Sequence, residues 1–267
     1  MKYICDHDLH IHSKLSECSR DKEQTVERIL QYAKDNNLKT ICLTDHYWDE
    51  AVPGASDWYK LQGFKHISSV NPLPQADGVK FLFGCETELD KDMTIGISKE
   101  RFRDFDFIII PTTHLHMNGF TIKENDTGVE VRAKLWVKRL EAVLNMDLPF
   151  YKVGIAHLTC SHFISSSKAD YVNALNLIKD EELDRLFQKA AGLGCGIELN
   201  LSESNFLDQE RDSVFRIYRA AKKCGCKFYL GSDAHHPAKF GQAKSIFQQA
   251  VDLLELTEKD KFYPSLV

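Results

Sequence analysis

Short apolar runs alternate along the chain with segments of helical periodicity. Runs at residues 3–12, 39–44, 79–85, 105–110, 151–156, 195–199 and 227–230 have strand length and composition, so each predicts a buried strand. Val26, Ile29, Leu30 and Ala33 fall on one face of a helix over residues 21–37, with Asp21 as the expected N-cap. Further stripes run through Val129, Ala133, Trp136, Leu140 and Val143, through Val214, Ile217, Tyr218 and Ala221, and through Ala243, Ile246, Phe247 and Ala250. Asp180, Glu181 and Glu182 open another helix, with acids where its dipole favours them. Strands alternating with helices imply parallel βα units with right-handed crossovers. Seven such units predict a closed or nearly closed α/β barrel. No repeat, low-complexity tract or Gly/Ser linker interrupts residues 1–267, which read as one domain. Long loops at 47–78 and 115–127 follow the second and fourth strands, and the first carries Trp48, Trp58, Tyr59 and Phe64. Such loops carry specificity in barrel enzymes; a satellite core under the loop is the alternative.

Polar residues at the strand ends change the picture. The first strand ends Asp8-Leu9-His10-Ile11-His12, where His10 and His12 share a face. Later strands end in Asp45-His46, Glu86, His114, His157, Glu198 and Asp233-Ala234-His235. In a parallel barrel these ends meet at one mouth. Imidazoles and carboxylates gathered there are costly unless they pair or hold cations. Several divalent metals, zinc, iron or manganese, meet that need, and a carboxylate can bridge two of them.

Composition narrows the rest. The chain is 43% hydrophobic and 27% charged, with 34 Lys+Arg against 39 Asp+Glu, a net charge of −5. That balance gives no global reason to coat nucleic acid or an anionic membrane. No apolar run approaches the roughly 18 residues of a membrane helix, and the polar start predicts no signal peptide, so a cytoplasmic location is expected. The 8 cysteines are scattered without a CxxC pair, as buried thiols of a reducing compartment would be. Cys224-Gly225-Cys226 ends a helix, where Gly225 suits a cap.

The motifs Asp8-x-His10-x-His12, Thr44-Asp45-His46, Gly84-x-Glu86, His114, His157 and Gly231-Ser232-Asp233-Ala234-His235 run from residue 8 to residue 235. In that order and spacing the chain resembles the PHP (polymerase and histidinol phosphatase) family. The resemblance implies a distorted (β/α)7 barrel with two or three metals at the C-terminal ends of its strands, hydrolysing phosphoesters. It implies a first metal among His10, His12, Glu86 and Asp233, with Glu86 bridging to a second at His114 and His157. A third would use His46, His235 and the residue six places after His12, which is Cys18 here where the family has His or Asp. A thiolate ligand there favours zinc over manganese; a packing role and a dinuclear centre are the alternative. Asp233, His235 and Glu86 are the expected catalytic residues. Asp8 and Asp45 are expected to accept from ligand imidazoles, while His7 and His236 need no metal role. Glu88 and Glu198 are candidates to face the pocket.

A small-molecule phosphomonoester, with histidinol phosphate as one candidate, is the expected partner. Lys14, Arg20, Arg132, Lys239, His116 and His162 are candidates to approach it, though no spacing selects among them. A nuclease or nucleotide phosphodiesterase is disfavoured by the acidic balance and by the lack of a basic stripe with interleaved aromatics. A non-catalytic metal-binding protein is disfavoured because nearly every ligand position holds a ligating residue.

Overall fold

The computed structural model describes residues 1–19, 21–164 and 166–265. Its elements in order are β1 (His7–Ile11), α1 (Val26–Asp35), β2 (Thr40–Leu43), β3 (His46–Tyr47), α2 (Phe64–Ile67), β4 (Lys80–Thr87), β5 (Phe107–Pro111), α3 (Val129–Leu144), β6 (Val153–Ala156), α4 (Lys168–Leu177), α5 (Asp180–Leu193), β7 (Gly196–Leu199), α6 (Asp208–Lys223), β8 (Lys227–Leu230) and α7 (Phe240–Leu253). The sheet runs β1-β2-β4-β5-β6-β7-β8, with β3 also paired to β4, and every pairing is parallel. The second expected strand is thus broken at Thr44-Asp45 into β2 and the two-residue β3, which sets His46 beside Glu86 in register.

The ring closes between β1 and β8, and side chains complete the seam. Asp233 N–H donates to His10 O at 2.7 Å and His12 N–H to Ala234 O at 3.2 Å. Lower down, Leu230 N–H donates to the His7 ring at 3.1 Å and Ser232 N–H to Asp8 at 3.0 Å. These bonds stand where strand carbonyls would otherwise accept, which is how a distorted barrel satisfies its buried backbone. The parallel sheet is buried on both faces, so its strands are apolar on both. Inside, Leu9, Cys42, Leu82, Phe107, Ile109, Ala156, Tyr229 and Phe262 form one cluster. Gly154 makes room for it: a Cβ there would stand 2.5 Å from both Phe107 and Tyr229.

Two sequence expectations change. The first helix begins at Val26, capped by Thr25, which accepts from Arg28 N–H at 3.2 Å. Asp21 instead pairs with the exposed His236 at 2.6 Å. The helix α4 has no counterpart among the sequence stripes. The helices over 129–144, 208–223 and 240–253 lie where the periodicity put them, and the one over 180–193 opens at the expected acids Asp180, Glu181 and Glu182. Among the described residues no helix is long and apolar enough to cross a membrane.

Candidate metal centre

The C-terminal ends of the strands bring the ligand-type residues together. His10 lies in β1 and His12 follows it, His46 opens β3, and Glu86 sits near the end of β4. His114 follows β5, His157 follows β6, and Asp233 and His235 follow β8. His157 and Asp233 adopt left-handed backbone, with φ of 59° and 52°. Such conformations cost about 1–3 kcal/mol for a non-glycine residue and gather at functional sites. Among the described residues, ligand atoms cluster as His10, His12, Glu86 and Asp233, as Glu86, His114 and His157, and as His12, His46 and His235, each group within 4.8 Å.

Inner and outer ring nitrogens are treated differently. On the outside, His10 Nδ1 meets Glu198 at 2.5 Å, His12 Nδ1 meets Ser16 at 2.9 Å, and His114 Nδ1 meets Glu88 at 2.8 Å. His235 Nδ1 meets the Asp233 carbonyl at 2.9 Å. On the inside, Nε2 of His10 and of His12 stand 3.1 Å apart. These two nitrogens lie 3.4 and 3.1 Å from Asp233 Oδ1 and 3.5 and 3.4 Å from Glu86 Oε2. His157 Nε2 is 3.2 Å, and His114 Nε2 3.9 Å, from Glu86 Oε1. Among the described residues, both Glu86 oxygens, Asp233 Oδ1 and both His157 nitrogens are buried without a hydrogen-bond partner. A buried carboxylate left this way costs several kcal/mol unless a cation meets it. Donors about 2.0–2.2 Å from one tetrahedral zinc would lie about 3.3–3.5 Å apart, close to the separations at the first group. The residues fit divalent ions.

Electrostatics agree. Burial pushes Glu86 up, but His46 and His10 overcome it and hold the carboxyl well below the usual range. Asp233 is likewise lowered, with His235, His10 and His157 outweighing burial. His157 rises to about 9 because Asp233 and Glu198 outweigh its burial. Burial, helped by His12, lowers His235 to about 3, and burial with His157 lowers His114 well below its ordinary value. Burial lifts Glu88 to about 8 against the opposing Arg139.

Supporting residues emerge that the sequence placed loosely or not at all. Glu198 reaches both His10 and the backbone N–H of His157, at 3.0 Å. It can do so because residue 231 is glycine: a Cβ there would stand within 2.3 Å of Glu198 Oε1. Arg139 of α3 is fully buried. It donates to the carbonyls of Leu89, Asp90, Thr112 and Thr121 and lies 3.8 Å from Glu88. A charged residue inside the Trp136–Leu140 stripe was the available signal. Asp45 accepts from Ser13 and Ser16, and so touches His12 only through the Ser16 hydroxyl. The expected role of Asp8 needs correction: it accepts from the His10 and Ser232 backbone and from Tyr32, and no imidazole reaches it. Its carboxyl serves the β1–β8 seam.

A cavity of about 660 Å³ opens above the centre, lined by His46, His114, Asp233 and His235 below and by Trp58, Tyr59 and Phe120 among its walls. Trp48, Tyr59 and Phe120 also form a satellite core, with Trp58 and Met117 packed on it, so the two readings of the aromatic loop describe one structure. Cys18 is exposed and lines this cavity, but its sulfur stands outside the third group, whose place is taken by His12. A loop of matching length brings Cys18 to the mouth without bringing the thiol within reach. His116 and His162 stack at 4.1 Å and line the cavity. Lys14 is exposed away from it, and Arg132 spends its guanidinium on the Leu115 carbonyl. Lys239 lines a second groove of about 1000 Å³ that also reaches His157, Asp233 and His235. Arg20 lies outside the described residues.

Comparison with known proteins agrees with this architecture. A probable phosphatase of Thermoanaerobacter sp. (strain X514) is 24% identical over 261 residues, covering 96% of this chain and 86% of that protein. A probable phosphatase of Caldicellulosiruptor saccharolyticus is 21% identical over 212 residues, covering 79% and 73%. Histidinol phosphate phosphatase from Lactococcus lactis subsp. lactis, solved with zinc, L-histidinol and phosphate, has a similar fold, with a TM-score of 0.55 at 17% identity over 92% of this chain and 93% of that one. The PHP domain model matches residues 8–202, and the chain therefore belongs to the PHP domain family.

Proposed function

We propose that this chain is a metal-dependent hydrolase of a small phosphomonoester, with residues 1–267 acting as one cytoplasmic unit. The observation that carries the reading is Glu86, a fully buried carboxylate without a hydrogen-bond donor among the described residues, set between two groups of imidazoles. His10, His12, Glu86 and Asp233 would hold one divalent ion, and Glu86, His114 and His157 a second. His46 and His235, with His12 beside them, would hold a third, and Cys18 stands at the rim of the cavity outside that ligand group. When bound, zinc, iron or manganese supplies positive charge against phosphoryl oxygens and makes water acidic enough to react near neutral pH.

The chain's own residues do the rest. Asp233 stays ionised among its imidazoles and accepts a proton from the attacking water. Glu198, Ser16 and Glu88 hold His10, His12 and His114 with their inner nitrogens toward the centre. His235 commits Nδ1 to the Asp233 carbonyl, which turns its other nitrogen toward the third ion. The relatives named as probable phosphatases, and the fold neighbour bound to L-histidinol and phosphate, favour a small ester over nucleic acid. The test is the full chain, loaded with Zn or Mn, assayed on p-nitrophenyl phosphate and on short DNA. Turnover of the monoester with DNA left intact is expected. Cleavage of DNA with no monoester turnover would replace this reading with the nuclease one.

A further inference from the structure

The cavity beyond the ligand residues is walled mainly by rings. Trp58 and Tyr59 meet edge to face at 4.7 Å, Phe120 closes on Tyr59 at 5.3 Å, and Met117 adds a thioether. Asp233 is the single carboxylate among the described lining residues, and it belongs to the ligand cluster. The residues outside the described set, Arg20, Ser165, Leu266 and Val267, include no acid. Glu17 and Asp57 adjoin lining residues in sequence but are exposed, and Asp57 pairs with Lys60 at 2.7 Å.

These surroundings discriminate between leaving groups. A neutral ring entering this cavity removes apolar surface from water and meets aromatic partners. In this cavity a primary ammonium loses hydration and meets Ser56, Asn118, His116 and His162 but no carboxylate outside the ligand cluster among the described lining residues, which is costly. The carboxylates Glu203 and Glu210 line the second groove instead, where Glu210 is paired with Lys168 at 2.9 Å. Attraction of a cation to ring faces is opposed here by the divalent ions that the floor is suited to hold. We propose, resting on the phosphoester reading above, that the substrate is the phosphomonoester of an uncharged aromatic alcohol, and that cationic amino alcohols such as L-histidinol are poorly accepted. In the reaction, water adds its oxygen to phosphorus and the ester P–O bond breaks. The aromatic alcohol leaves with a proton, and inorganic phosphate is the other product.

The experiment compares benzyl phosphate, L-histidinol phosphate and glycerol phosphate as substrates of the metal-loaded full chain. The expected kcat/KM for benzyl phosphate exceeds that for L-histidinol phosphate by about tenfold or more, the scale of one well-used pocket contact. Trp58 is only half-buried, so Trp58→Ala should fold. It is expected to raise KM for benzyl phosphate and narrow the ratio, while Trp58→Phe preserves it. Equal or better use of L-histidinol phosphate would overturn the neutral-ring assignment and leave phosphoester hydrolysis standing. No turnover of any of the three would overturn both.

Discussion

Each end of the barrel holds a cluster of charged and ionisable groups away from bulk water, and the two are built by opposite rules. At the end away from the cavity, Lys261 has a side chain only 1% exposed, and its ammonium donates to Asp6 at 2.8 Å and to Glu258 at 3.1 Å. It also lies 5.0 Å over the Tyr3 ring. Glu258 accepts in turn from Ile4 N–H at 2.6 Å. Each charged group there has an ionic or hydrogen-bonding partner within the fold. At the mouth, His10, His12, His114 and His235 turn their outer nitrogens to partners, while the inner atoms face one another and, among the described residues, Glu86 is unsatisfied at both oxygens. A matched cluster is complete as folded and stabilises the chain. An unmatched one is complete only with a ligand, and the backbone strain at His157 and Asp233 lies on that side alone of the two clusters.

The largest effects should come from the unmatched end. Asp233→Asn removes the charge that two groups of imidazoles share, and turnover should fall by about a thousandfold or more, on the scale of lost transition-state electrostatics. The circular dichroism spectrum should keep its wild-type form; retained activity would refute the role given to Asp233. Next come the residues that aim the imidazoles. Glu198→Gln and Gly231→Ala should each weaken metal affinity about 10–100-fold, the usual result of losing a group that orients a ligand. Metal titration followed by calorimetry measures this. Wild-type affinity in both variants would mean that the Glu198–His10 contact does not set the ring.

At the matched end the prediction is different in kind. Lys261→Met should cost about 1–3 kcal/mol of stability, as for lost hydrogen bonds to charged groups, with metal content unchanged. The pH dependence has a definite sign. Burial raises the Asp6 carboxyl, but hydrogen bonds from His7 and Lys261 prevail and hold it well below the usual range. A group lowered on folding stabilises fully above its unfolded pKa, about 3.9, and progressively less as pH falls below it. The wild-type advantage over Lys261→Met in urea unfolding should therefore be full at neutral pH and shrink in acid. The smallest expected effect is that of Cys18→Ser. The sulfur lies outside the ligand groups, so metal stoichiometry should not change; loss of one ion per chain would restore the thiolate ligand.

Much of the mouth was legible before any coordinates because strand ends are short-range features. A His or carboxylate after an apolar run is visible in sequence, and parallel topology brings such ends together whatever the details of packing. The partners of those residues were harder to read. Arg139 comes from an outer helix, and its contacts with residues 89–121 depend on how α3 lies against the barrel. Asp8 precedes His10 by one strand repeat, yet its carboxylate accepts from the Ser232 backbone after β8 and from Tyr32 of α1, and the pairing of β1 with β2 slips between Asp8 and Ile11. In α4, Tyr171, Ala174 and Leu175 are buried while Leu177 is exposed, so its apolar residues mark no clean stripe. Cys18 shows the remaining difficulty: loop spacing fixes where a residue stands, not how far its side chain reaches.

The matched and unmatched ends differ finally in what they should hold. Elemental analysis of the purified full chain, with thermal melts before and after chelation, asks this directly. At least two ions of zinc, iron or manganese per chain are expected, with a lower melting temperature once they are stripped, restored by adding metal back. A metal-free, fully folded protein whose melting is indifferent to added Zn or Mn would contradict it.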